Sequence, residues 1–399
     1  MPAENQSDRK LRILHVLRAP LGGLFRHVVD LTREQVARGH AVGLVTDSMT
    51  GGDRAAKILA ELEPMLALGL SRMRMPRNPH VLDIPTALRI AFHTRALAPD
   101  IVHGHGSKGG AFARLPAFLP GFDSAIRAYT PHGGSFNYRA GPVVERSYME
   151  MERLLRHATD IFLFESAYIA TQVHERIGPT RKLIRIVPNG LSAAEFVPID
   201  PLPEAKEFLY VGELRAAKGI DTLIDALAIL SNHLAKRPRL VLVGSGPDEE
   251  RLVAQADERG VADSVIFAGL KPAREAFGLG RILVVPSRAE SLPYIVLEAA
   301  AAQMPMVATD VGGIGEIFGP YRDRLIPCNN PAILAEAMKT ALEKDAHEIR
   351  RECAALAAFV STQFTINDMA DAVLSGYVDA LAKKARQDDA SAASFALPS

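Results

Sequence analysis

Tryptophan is absent from this chain, cysteine occurs twice in 399 residues, and no apolar run approaches the length of a bilayer span. Each absence removes a class of protein. Cys328 and Cys353 cannot supply the disulfide framework of a small secreted domain, so a reducing compartment suits the chain. Residues 1–10 are polar, and the first apolar run, 11–17, is interrupted by Arg12 and His15. That start is too short and too polar for a secretory signal. Without about 18 consecutive apolar residues no helical span is assigned, and the cytoplasm is the expected location. No basic run is interleaved with aromatics, which argues against a nucleic-acid partner. Net charge is also missing, with 46 basic and 46 acidic residues, but the halves differ. Residues 1–190 carry 25 basic and 17 acidic side chains, and residues 191–399 carry 21 and 29. A basic first half could rest on anionic lipid or receive an anionic acceptor, or the asymmetry could be chance over solvated faces.

What is present is alternation. Apolar strands at 12–17, 41–46, 101–103, 126–130 and 161–164 alternate with helical patterns, the first after a turn at Gly22 and Gly23. A second block starts at 207–211 with a helix over 221–234, and has strands at 240–243, 265–267, 282–285 and 306–308. Helices with charged faces follow from about 331 to 385. Between the blocks lie VPNGL at 187–191 and VPIDPLP at 197–203, rich in turn residues and read as a linker. Such a chain is α/β, and its length fits two cores. The expected architecture is two Rossmann-like doubly wound domains facing a central cleft. Their boundaries are 1–195 and 196–385, with the terminal helices able to pack back on the first domain and a disordered tail over 386–399.

In open parallel sheets, ligands bind beyond the carboxyl ends of the strands. VGELRAAKG at 211–219 is such a strand end. Gly212 permits close backbone approach, and Arg215 and Lys218 bring the charge that a leaving diphosphate needs. An ordinary turn with solvated cations would look the same. VGSG at 243–246 adds Gly244 and Gly246, and VGGIGE at 311–316 is a further glycine-rich strand end. PSRAESLPYIVLE at 286–298 places Glu290 on a loop and Glu298 about two turns into a helix. One carboxylate can accept from sugar hydroxyls and the other from a ribose diol. Glu290 could instead cap the helix, whereas Glu298, with apolar flanks, needs partners. In the first half, Gly22 and Gly23, HGHGSK at 103–108 and TPHGG at 130–134 each follow a strand. Their polar groups would converge on one sheet edge. A lone histidine is more often structural, but His132 stands between Pro131 and two glycines, which favours a site.

Together these segments resemble glycosyltransferase family 4, whose members are retaining enzymes of GT-B fold. The most specific element is the E-x7-E pair, Glu290 and Glu298, between PS at 286–287 and PMV at 305–307. VGEL with Lys218 and Gly219, VPNG at 187–190 and DIVH at 100–103 fit in order and spacing. The resemblance implies transfer from a nucleotide-sugar, most simply a UDP-sugar, to a saccharide or lipid-linked acceptor in cell-surface polysaccharide or glycolipid synthesis. It implies that Lys218 meets the diphosphate, Glu298 the ribose and Glu290 the transferred sugar. The donor set is then Gly212, Arg215, Lys218, Gly244, Gly246, Glu290, Ser291, Leu292 and Glu298. The acceptor side is Gly22, Gly23, His103, Lys108 and His132, with His132, Lys218 and Glu290 taken as catalytic. The resemblance also implies no metal and no resident cofactor, which agrees with the cationic residues and with the lack of an obvious Asp-x-Asp site. Retention is expected by a same-face route in which the leaving phosphate helps deprotonate the acceptor, because no convincing nucleophile can be placed.

Two positions depart from the family pattern. Glu213 stands where an arginine is frequent, leaving Arg215 as its substitute. Pro293 replaces a frequent glycine and removes one backbone donor. They keep open a non-catalytic sugar-nucleotide-binding subunit. An NAD-dependent enzyme would use Asp47 at the end of the second strand, but PLGGLF at 20–25 lacks the G-x-G-x-x-G spacing. That reading also leaves Glu290 and Glu298 unexplained. RMRMPR at 72–77 reads either as a surface against anionic lipid, with the protein peripheral on the inner membrane face, or as a loop between helix and strand.

Overall fold

The structure is a computed structural model that describes residues 9–122, 124–137 and 141–395. The strands are β1 (Arg12–Leu17), β2 (Ala41–Asp47), β3 (Leu70–Met73), β4 (Ile101–His105), β5 (Ile126–Thr130), β6 (Ile161–Phe164), β7 (Leu183–Ile186), β8 (Lys206–Val211), β9 (Leu240–Val243), β10 (Val265–Phe267), β11 (Gly280–Val285) and β12 (Met306–Ala308). The α-helices are α1 (Gly22–Ala37), α2 (Gly52–Leu62), α3 (Asp83–Leu97), α4 (Gly106–Arg114), α5 (Gly134–Asn137), α6 (Pro142–Leu155), α7 (Ala167–Ile177), α8 (Ile220–His233), α9 (Glu249–Glu258), α10 (Ala273–Phe277), α11 (Tyr294–Ala301), α12 (Ile314–Phe318), α13 (Pro331–Glu343), α14 (Ala346–Gln363) and α15 (Ile366–Phe395).

Two compact units divide the chain. One runs to Gly190 and takes up the chain again from Ile366; the other is Leu191–Thr365. The first holds a seven-stranded parallel sheet in the order β3-β2-β1-β4-β5-β6-β7. The second holds a five-stranded parallel sheet in the order β10-β9-β8-β11-β12. Each is a doubly wound Rossmann-like sheet. Each order reverses once, between β1 and β4 and between β8 and β11, and strand carboxyl ends at such a reversal leave a crevice for a ligand.

The central strands are nearly continuous apolar runs because helices cover both faces. In the first unit, Leu11, Ile13 and Leu17 face α1, α2 and α15, which bring Leu31, Val28, Leu59, Met369 and Val373. Leu14 and Val16 face the other way, towards Ile90 of α3 and Phe112 of α4. In the second unit, Phe208 and Tyr210 pack on Leu223 and Leu227 of α8 and Met338 of α13. Leu209, Leu283 and Val285 pack on Val296, Ile317 and Val360.

Several elements differ from expectation. α1 begins at Gly22 itself, so the glycine pair forms the first helical turn. β3 and β7 are edge strands that the hydrophobic pattern did not mark. β3 takes in Arg72 and Met73, so the reading of RMRMPR as a loop does not hold for its first two residues. Met73 and Met75 are buried, while Arg72, Arg74 and Arg77 are exposed. Arg72 donates to the carbonyls of Asp47 (3.3 Å) and Ser48 (3.3 Å), closing the end of β2. α15 continues through Phe395, past the point at 386 where composition suggests a tail; 396–399 lie outside the described residues. Among the described residues no helix is long and apolar enough to cross a membrane.

Candidate active site

The loops after β8 and β11 meet at the reversal of the second sheet. Lys218 ends a short 3-10 turn in the first loop, Glu290 lies in the second, and Lys218 Nζ donates to Glu290 Oε1 at 2.6 Å. Ser287 Oγ donates to the same oxygen at 2.7 Å. Glu290 is only 8% exposed, so an ammonium and a hydroxyl take the place of water around its charge. Both donors use Oε1, which leaves Oε2 to accept from a ligand, and Lys218 has two further N–H groups to give. Glu290 is not a helix cap: α11 starts at Tyr294 behind Pro293, with no side-chain cap. Glu298, half-buried, is therefore about one turn into α11 rather than two.

The two loops are pinned to each other by Arg288. Its guanidinium donates to the Ala216 carbonyl (2.6 Å), Asp221 (2.8 Å), Thr222 Oγ1 (2.9 Å) and Asn329 Oδ1, and its backbone N–H to the Ala217 carbonyl (2.9 Å). Burial alone would raise the Asp221 carboxyl, but the hydrogen bond and charge of Arg288 outweigh it and hold it below its ordinary value. Thr309 Oγ1 donates to the Ser287 carbonyl (2.7 Å) and the Gly313 N–H to the Ser291 carbonyl (2.7 Å). Gly312, at φ +59°, lies so close that a Cβ there would come within 1.9 Å of the Glu290 carbonyl oxygen. Leu292 is buried in the core.

The glycines expected to admit a ligand have another use. A Cβ on Gly244 would lie 1.8 Å from the Gly212 carbonyl oxygen, and one on Gly246 would lie 2.2 Å from that of Leu214. They let the loops after β8 and β9 close on one another. Arg215 Nε is 3.2 Å from the Glu213 carboxylate, both well exposed, a pair worth little in stability.

In the first unit the sheet reversal gathers histidines. His15 of β1 pairs in register with His103 of β4, and His105, two residues on, points to the same face. α1 adds His27 and Gln35, and the turn after β5 adds His132. Ring centroids of His103 and His105 are 3.9 Å apart, and those of His27 and His132 are 4.7 Å apart. The hydrogen bonds have a direction. His15 Nε2 meets Gln35 Oε1 at 2.8 Å, and an amide oxygen only accepts, so Nε2 carries the proton and Nδ1 is bare. His105 Nε2–H then donates to His15 Nδ1 (2.9 Å), and His132 Nε2–H to His105 Nδ1 (3.1 Å). His27 Nδ1–H donates to Asn189 Oδ1 (3.0 Å), leaving its Nε2 bare, buried and without a hydrogen-bond partner. Burial lowers His15 and His27 to about 4, and holds His103, His105 and His132 well below the ordinary imidazole value, with help from neighbouring imidazoles. All five are neutral near pH 7.

The other acceptor-side candidates are scattered. His103 is fully buried, with Nδ1 on Tyr377 Oη (2.7 Å) and Nε2 on Thr130 Oγ1 (2.8 Å), so both ring nitrogens are spent in the core. Lys108 donates to the carbonyls of Pro76 (2.5 Å) and Asn78 (2.8 Å) and pairs with Asp83 (2.8 Å), holding residues 76–83 in place. Gly22 and Gly23 are exposed at the start of α1. His132 has φ +51°, in the left-handed region, with Gly133 and Gly134 following at positive φ. Glu165 accepts the Gly133 N–H at 2.6 Å and fixes that turn. Such strain persists where the surroundings over-determine it, as they do in sites. Among the described residues two triads could hold a metal ion, His15/His103/His105 and His27/His105/His132. Sequence reasoning passed over His15, His27, Gln35 and Asn189 as site residues, and gave Arg288 no role. For the histidines the visible signal was the HGH alternation of β4.

Residues 21–195 match the family described as Glycosyltransferase Family 4, and residues 195–357 that described as Glycosyl transferases group 1. Over 365 residues the chain is 28% identical to a glycogen synthase of Mycobacterium tuberculosis, covering 84% of this chain and 86% of that one. It is 33% identical over 237 residues to a D-inositol 3-phosphate glycosyltransferase of Acidothermus cellulolyticus, covering 54% of this chain and 52% of that protein. In fold it is similar to sucrose-phosphate synthase from Thermosynechococcus elongatus (TM-score 0.77, 19% identity, 93% of this chain and 100% of that one). It is also similar to Anabaena Alr3699/HepE, solved in complex with UDP (TM-score 0.71, 16% identity, 92% of this chain and 99% of that one).

Proposed function

The chain is a group 1 glycosyltransferase of the family 4 type and of GT-B fold, and on that premise we propose that it transfers a sugar from a UDP-sugar to a saccharide or lipid-linked acceptor, with retention and without a metal at the diphosphate. The observation that carries this reading is the Lys218–Glu290 pair at the reversal of the second sheet. Lys218 has two N–H groups left for a diphosphate, whose charge grows as the sugar departs, so it binds the transition state more tightly than the ground state. Glu290 Oε2 accepts from a hydroxyl of the transferred sugar. Glu298 takes the ribose diol. The Anabaena neighbour's complex with UDP supports uridine as the donor nucleoside.

In the step itself, the bond from the anomeric carbon to the β-phosphate oxygen breaks as the acceptor oxygen bonds to that carbon on the same face. The acceptor proton passes to the departing phosphate oxygen. His132, neutral and with Nδ1 bare, is the acceptor-side group that receives a hydrogen bond from a second hydroxyl of the acceptor and so orients the attacking one. The proposed setting is synthesis of surface polysaccharide or glycolipid at the inner membrane face.

Thermal stability with UDP, GDP and ADP, each with EDTA, tests the donor site. A ligand at 100 times its Kd adds roughly 2.7 kcal/mol. UDP stabilisation that persists in EDTA and disappears in Glu298→Ala supports the reading. Silence from UDP, or a trapped covalent glycosyl-enzyme during turnover, would defeat it.

A further inference from the structure

We propose that the first unit carries a binding site for one divalent cation of the zinc class on His27, His105 and His132. Imidazole nitrogen suits zinc, copper and nickel, and three such ligands with a water at the fourth position make a tetrahedral zinc site. The ligand atoms of these three rings lie within 4.8 Å of one another. His105 Nδ1 and His132 Nε2 are already 3.1 Å apart, close to the roughly 3.3 Å that tetrahedral ligands at about 2.05 Å from zinc would keep. His27 Nε2 is a buried lone pair with no partner, and such groups in folded proteins call for one.

The outer contacts are those of a metal site. Ligating histidines give their second ring N–H to an acceptor that fixes tautomer and orientation. His27 gives Nδ1–H to Asn189 Oδ1 (3.0 Å), and His105 gives Nε2–H to His15 Nδ1 (2.9 Å). When the cation enters, His132 moves its proton from Nε2 to Nδ1. All three ligands stay neutral imidazoles, and no net proton is released. His132 is partly exposed, which provides a way in and a place for a water on the cation. The overlapping triad of His15, His103 and His105 has none of this. All its rings are buried, and both nitrogens of His15 and of His103 are already hydrogen-bonded.

On the functional reading above, a cation here takes His132 from the acceptor and inhibits transfer. Binding and inhibition are therefore measured separately. Full-length protein stripped with EDTA is titrated with Co2+, followed by its visible d–d absorption, and then with Zn2+. The expected result is one Co2+ per chain, displaced by Zn2+, with affinity at least about tenfold weaker in His27→Ala and in His132→Gln but kept in His103→Gln. Circular dichroism checks each variant's fold. If His27→Ala unfolds, His132→Gln, at the partly exposed edge, decides alone. No saturable Co2+ band, unchanged affinity in His132→Gln, or loss in His103→Gln with retention in His27→Ala would overturn the site. Zn2+ should inhibit the parent and EDTA restore it. Inactivity of the parent even in EDTA would instead count against the proposed donor or acceptor.

Discussion

Lys218 brings one positive charge and three N–H donors to the second unit, and Glu290 occupies one of them. Removing the charge while keeping a hydrogen-bonding amide, as in Lys218→Gln, should lower kcat/KM with a UDP-sugar by about 10²–10³. The loss should lie mainly in kcat, because the interaction strengthens as the diphosphate leaves. A rise in KM at unchanged kcat would mean that Lys218 only binds the ground state. The buried histidines set a second expectation. Burial holds His15 and His27 near 4, against 6.5 when exposed. The unfolded chain therefore takes up protons first as the pH falls. Stability is full above 6.5 and is lost progressively towards 4, by roughly 3 kcal/mol for each such histidine. Coupling among five adjacent rings forbids simple addition. Urea unfolding in EDTA, followed by a probe of the first unit, should show the midpoint dropping across that window. A flat profile from pH 7 to 4.5 would show that these rings are not neutral and buried.

At the scale of elements, the turns at the second sheet's reversal hold each other in place. Gly244→Ala would put a methyl where the Gly212 carbonyl oxygen is 1.8 Å away, so one loop must move. We expect a loss on the order of 3 kcal/mol in the second unit, together with loss of stabilisation by UDP. Unchanged thermal midpoint and UDP response would show that the loops separate at little cost. Elements were legible in the sequence in proportion to their burial. β9 and β11 are almost wholly buried and stand out as apolar runs. β3 and β7 lie at the edges of the first sheet with few fully buried residues, and LSRM and LIRI carry too little pattern to be marked. The same contrast holds for the site. Lys218 and Glu290 each sit in a linear motif with a readable strand end before it. The histidine cluster is assembled from β1, α1, β4 and the turn after β5, and no window of sequence contains it. Gly244 was readable as a close-approach residue, but what approaches it is another turn, which only the packing reveals.

Across the whole molecule, the chain builds its units in a discontinuous order. Leu191–Thr365 is continuous, whereas the first unit is completed only when the chain returns at Ile366. Met369, Ala370, Val373, Tyr377 and Ala380 of α15 are at most 2% exposed and close the sheet face that carries Leu11, Ile13, Ile126 and Ile161. Tyr377 also holds His103 through its hydroxyl. Removing residues from 366 onward uncovers that face. The lost contacts of Met369, Val373 and Tyr377 alone, at about 1.5–3 kcal/mol per large apolar side chain, approach the roughly 5–15 kcal/mol that holds a domain folded. A chain ending at 365 should therefore show one cooperative thermal transition, that of the second unit, shifted upward by UDP in EDTA. Its first unit should be cut rapidly by protease, while the fragment 191–365 should behave like the surviving transition. Two transitions in the shortened chain would show that the seven-stranded sheet folds without α15. Loss of both would show that the second unit depends on the first for its stability, although it is formed from one unbroken stretch of chain.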